Sequence, residues 1–112
     1  MRTIERLENA KRGEVNHTLY WAYKDSQQAG TEDLNFNDVI WEEDIKAIVD
    51  FCKEEKIEQI TISSTFSSLT TVLWELEQLG CKMSGMKKVP LRYNKLGTNE
   101  REMAVAIIIK MA

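Results

Sequence analysis

The chain has 112 residues, 43% apolar and 29% charged, with a net charge of −3. That length is one domain with room for a core, and the balance excludes a disordered chain and argues against a general nucleic-acid binder, which carries a basic surplus. No apolar run reaches the roughly 20 residues that span a bilayer, the start MRTIERLENAKRGE holds no apolar signal region and neither lipidation motif is present, so a cytoplasmic protein with no membrane contact is expected.

Residues 2–12 and 15–29 read as helix with a break at Gly13; Ile4 and Leu7 form one short stripe, and Val15, Leu19, Ala22 and Tyr23 a second at helical spacing. Gly30 closes this N-terminal helical segment, residues 1–30, and residues 31–112 form a β-α-β-α-β-β core within a single domain. LNFNDV (34–39) is a short first strand. WEEDIKAIVDFCKEEK (41–56) is the clearest helix, with Ile45, Ile48, Val49 and Cys52 on one face and its acids and lysines ordered as the helix dipole prefers. IEQITIS (57–63) alternates as a second strand, and a helix over 68–79 buries Leu69, Val72, Leu73, Leu76 and Leu79 before Gly80 ends it. CKMSGMKKVPLRY (81–93) and EREMAVAIIIKM (100–111) are strands joined by the hairpin loop NKLGTN. Cys52 and Cys81 are expected as buried, reduced core thiols.

The fold class that follows is α+β, an α/β sandwich of order α-β-α-β-α-β-β. The last strand is apolar on both faces, which predicts a central strand buried on both sides, and Pro90 places the third strand at an edge. The two β-α-β links make their strands parallel. A four-stranded mixed sheet of order 1-2-4-3, flanked by three helices, satisfies all three conditions.

Between the second strand and the following helix lies TISSTFSSLTT. Ser67 is expected to cap that helix through its side chain, with Phe66 as a hydrophobic staple and Ser63–Thr65 as the turn off the strand. Ser64, Thr65, Ser67 and Ser68 are also the candidate anion or ligand loop, because free amides and hydroxyls meet there at the C-terminal end of a strand. The loop has no Gly, Lys or Arg, so it is not a P-loop. His17, Tyr20 and Trp21 lie off the Val15/Leu19 stripe and make the first long helix apolar nearly all round, which marks a candidate partner surface. Glu42, Glu43 and Asp44 are adjacent in sequence and point to different faces, so solvated charge is expected of them rather than an ion site. Residues 38–58 hold eight acids against three lysines, whereas residues 82–101 hold six basic residues against Glu100 alone. Lys87, Lys88 and Arg92 of that basic hairpin complete the candidate partner surface, with edge protection as their structural role. No catalytic pair, cofactor loop or metal-ligand spacing is present in the sequence, so no catalytic, cofactor or metal residues are assigned.

The run IVDFCKEEKIEQITISSTFSSLTTVLWELEQLGC resembles the C-terminal half of the GNAT acetyltransferases in its order of helix, strand, helix and final hairpin with an inserted last strand. That family's pyrophosphate turn needs glycines. The matching FNDVIWEED has none and sets three carboxylates where phosphates would lie, and Leu76 stands where the family keeps a tyrosine. Acetyl transfer is therefore rejected. NFNDVIW (35–41), TIS (61–63), LGCKMSGM (79–86) and RY (92–93) resemble a group of small uncharacterised proteins of gut Gram-positive bacteria, often on mobile elements. The resemblance implies a bacterial origin and carries over no site residues. The expectation is a non-enzymatic interaction or accessory protein that contacts a protein partner or a second copy of itself. The alternatives are a small-ligand or degenerate GNAT-like domain using the Ser64–Ser68 loop, and an inhibitor or decoy of a nucleoprotein.

Overall fold

The computed structural model describes residues Met1–Ala112. The elements in chain order are α1 (Glu5–Glu8), α2 (His17–Ala29), β1 (Leu34–Phe36), a 3-10 turn (Glu42–Asp44), α3 (Ile45–Glu54), β2 (Gln59–Ile62), α4 (Leu69–Gln78), β3 (Lys82–Asn94) and β4 (Arg101–Lys110). The sheet order is β1-β2-β4-β3, with β1 and β2 parallel and β4 antiparallel to both its neighbours, as the sequence predicts. No helix is long and apolar enough to cross a membrane.

Leu79, expected in the buried stripe of the helix over 68–79, is 40% exposed, and three larger expectations need correction. The first is the helix over residues 2–12, which shrinks to the single turn of α1; Ile4 and Leu7 are buried there all the same, anchored by the Tyr23 hydroxyl, which accepts from the Ile4 amide at 3.2 Å and donates to Glu8 Oε2 at 2.7 Å. Burial, and then the Glu8 hydrogen bond, raise the Tyr23 phenol above its ordinary value. The second is the central strand. Of β4 only Ala106 and Ile109 are buried, because β2 is four residues long and pairs with Ile107–Lys110 alone, leaving the first half of β4 bonded only to β3. The third is the helix cap. The residue before α4 is Ser68, and no side chain caps it; the turn closes instead through the backbone bond from Leu69 N to Phe66 O at 3.0 Å.

The core follows from strand alternation. Leu34, Ile60 and Ile109 lie in register across β1, β2 and β4, and Phe36 lies beside Ile62 in the next row of the same face. They join Ile45, Ile48, Val49 and Cys52 of α3 and Val72 and Leu76 of α4 in one cluster of 19 buried residues. Cys52 and Cys81 are buried free thiols, and burial first, then the neighbouring Cys81, pushes the Cys52 thiol up to about 12.

The opposite face is polar at its centre. Asn35 and Thr61 pair in register and are buried, and Thr61 Oγ1 donates to Asn35 Oδ1 at 2.7 Å while Asn35 Nδ2 donates to Ser63 Oγ at 2.9 Å. The backbone of Asn35 points away from β2, and the buried Ser26 of α2 meets both its groups: Ser26 Oγ accepts from Asn35 N at 2.9 Å and donates to Asn35 O at 3.2 Å. One hydroxyl thus takes the place of a fifth strand and lays α2 along the edge of β1.

Candidate functional site

Fixing α2 against β1 opens a cleft of about 200 Å³ at the C-terminal end of β1. Ligands favour that end of a strand in open sheets. One wall is His17, Trp21 and Asp25, three residues at i, i+4 and i+8, hence one face of α2. The other is the connection after β1, with Asn37, Asp38 and Trp41. The helix start is set by Asn16, whose side-chain oxygen accepts from Leu19 N at 3.1 Å. The two walls are tied together by Asp44, which accepts from Thr18 Oγ1 at 2.6 Å and from Asn16 Nδ2 at 3.0 Å.

Trp21 is 40% exposed and Trp41 56% exposed, so both indoles keep much of their surface in water. Trp21 packs edge-on against His17 at 6.5 Å and Tyr20 at 5.1 Å, and the Arg12 guanidinium lies 5.6 Å over its ring. Burial raises the Asp25 carboxyl above its ordinary value; the Arg92 guanidinium, 3.6 Å away, pulls it back and Asp38 pushes it up. Asp38 accepts from Val39 N at 2.8 Å and takes part in no ion pair.

Of the candidate residues, the structure brings His17 and Trp21 into the cleft and sets Arg92 against it through Asp25. Tyr20 is half-buried and stands under Lys24 Nζ at 5.5 Å, outside the lining. Lys87 lies outside the cleft lining, bound to Asp33 at 3.0 Å and Glu32 at 3.5 Å, while Lys88 is exposed. The hydroxyl loop acts as a strut. Ser63 Oγ donates to Asn37 Oδ1 at 2.8 Å and Ser64 Oγ donates to Asp38 O at 2.7 Å, so Ser63 and Ser64 hold the cleft wall that follows β1. Thr65 and Ser67 are exposed, Ser68 is half-buried, and none of the three lines the cleft.

Sequence reasoning missed Asp25, Asp38 and Trp41 as site residues. Asp25 is legible as the next step of the His17–Trp21 spacing. Asp38 and Trp41 lie in the same NFNDVIW stretch that carries the bacterial resemblance, but no local spacing aims them at α2. Elsewhere in the molecule, no group of three or more His, Cys, Asp or Glu side chains could hold a metal ion.

No curated protein and no solved structure matches the chain. The family model of a domain of unknown function, DUF7698, matches residues 18–111. That span takes in the whole sheet and every residue of the cleft walls except His17, and the protein belongs to the DUF7698 family.

Proposed function

We propose that this chain is a non-enzymatic interaction protein that recruits a protein partner through the cleft between α2 and the segment after β1. The observation that carries the reading is the pair of half-exposed indoles, Trp21 and Trp41, on facing walls of one cleft. A single exposed tryptophan is ordinary, but an exposed apolar patch marks an interaction site, and tryptophan is enriched where binding energy is concentrated. The walls are held by hydrogen bonds through Ser63, Ser64, Asn16 and Asp44, so little order has to be gained on binding. The resemblance of NFNDVIW and its companion stretches supports a bacterial accessory role in the cytoplasm, encoded on a mobile element.

Affinity capture from bacterial cytoplasm with the parent chain and with a Trp21→Ala/Trp41→Ala variant tests the reading. A partner retained by the parent and lost by the folded variant is the expected result. A partner held equally by both, or turnover of an acyl, phosphoryl or glycosyl donor by the parent chain, overturns it.

A further inference from the structure

The chemistry of the cleft walls narrows what the partner presents there, an inference that rests on the interaction reading above. A space of about 200 Å³ suits one side chain, not a helix, whose diameter with side chains is about 10–12 Å. Its lining pairs two indole surfaces with two carboxylates, Asp25 and Asp38. Aromatic faces and carboxylates attract the same kind of group, an organic cation. The protein's own guanidiniums already show both contacts at the margins of the cleft, Arg12 over the Trp21 ring at 5.6 Å and Arg92 beside Asp25 at 3.6 Å. Asp38 is the carboxylate left without a cation, and Glu42 and Glu43 add exposed negative charge just beyond Trp41. A planar guanidinium stacks on an indole and pairs with a carboxylate at once, which a compact ammonium does less well.

We propose that the cleft receives a single arginine side chain from an exposed basic segment of the partner protein, stacked on the indoles of Trp21 and Trp41 and paired with Asp38. The groove between α3 and α4 that holds the exposed Trp74 has a single indole, flanked by Lys46 as well as by Glu42 and Glu75, and serves as an internal control.

The test is a titration of the intact protein with N-acetyl-arginine amide, read by NMR at the three indole N–H signals. Those of Trp21 and Trp41 are expected to shift and that of Trp74 to stay. The citrulline analogue, neutral and of the same shape, should give no shift, and the lysine analogue should bind several-fold more weakly. Asp38→Asn keeps the acceptor for Val39 N and removes only charge; it should weaken arginine binding about tenfold. Trp41→Ala, on an exposed connection, should remove saturable binding while the rest of the spectrum is unchanged. Equal binding of citrulline, tighter binding of tetramethylammonium, a Trp74 shift of the same size, or no shift at all overturns the assignment. If partner capture depends on Trp21 and Trp41 while the arginine probe fails, the interaction reading stands and the arginine assignment falls.

Discussion

The strands β1 and β3 bound the same sheet and meet the problem of an unpaired edge in opposite ways. The β1 edge is three residues long and closed: Leu34, Asn35 and Phe36 are all buried, and Ser26 of α2 satisfies the outward backbone of Asn35. The β3 edge is 13 residues long and mostly exposed, and it carries Lys82, Lys88, Arg92 and Pro90, residues that discourage another strand from pairing. The difference bears on function. Covering an edge with a helix brings the helix surface to the end of the strand, and that junction is the cleft; β3 adds no residue to its lining and reaches it through Arg92, which lies beside Asp25.

The closed edge is the costlier one to break. Ser26→Ala strands a buried N–H and a buried C=O, each worth about 1–3 kcal/mol when left unsatisfied, so a loss of about 2–4 kcal/mol is expected. Urea denaturation should show a lower midpoint with an unchanged slope. If stability holds within about 0.5 kcal/mol, water replaces the hydroxyl and the β1 edge is open to solvent.

At the entry to the open edge the constraint is conformational. Gly80 ends α4 at φ 92°, with Cys81 N bonded to Leu76 O and Gly80 N to Glu77 O, each at 3.0 Å. A Cβ there would take a left-handed conformation and meet Ala112 Cβ at 3.2 Å. Gly80→Ala should cost about 1–2 kcal/mol, read by the same denaturation. Lys56 leaves α3 by the same pattern at φ 57° without being glycine, which shows that the milder angle is tolerated.

The two edges were not equally legible in the sequence. Pro90 and the apolar last strand were enough for the order 1-2-4-3, because proline and strand hydropathy are local signals of edge and centre. Ser26 was not legible as a cover, since nothing local tells a helix serine that it will face the backbone of Asn35. The cleft divides the same way. His17 and Trp21 stand out by spacing, whereas their opposition to Asp38 and Trp41 depends on how α2 docks. The lengths of the first helix and of the buried part of β4 failed for one reason: periodicity reports which face a residue favours, not whether another element lies there to cover it.

Lys87 links the two edges. It reaches from β3 to Asp33, just ahead of β1, at 3.0 Å, and its side chain is 28% exposed. The Asp33 hydrogen bond leads the causes that raise its ammonium above the ordinary value. The folded state therefore holds this proton more tightly: the contribution is complete below about pH 10.4, the unfolded lysine value, and is lost as pH rises through the higher folded value. Lys87→Met should cost about 0.5–1 kcal/mol near neutrality, and less in high salt.

The smallest effect on folding is expected where the open edge is guarded. Lys82 and Lys88 are exposed on β3, and neither is in an ion pair. Replacing both with threonine, a good strand former, should leave stability within about 0.5 kcal/mol. What should change is association. With the charges gone, the unpaired β3 backbone beside Met83 and Met86, 62% and 63% exposed, becomes a template for a second copy, and sedimentation should show more concentration-dependent association than in the parent chain. The same double variant should leave the arginine titration at Trp21 and Trp41 unchanged, because neither Lys82 nor Lys88 lines the cleft. A variant that both stays monomeric and loses that titration would mean that Lys82 and Lys88 act on the cleft as well as Arg92, which already touches it through Asp25.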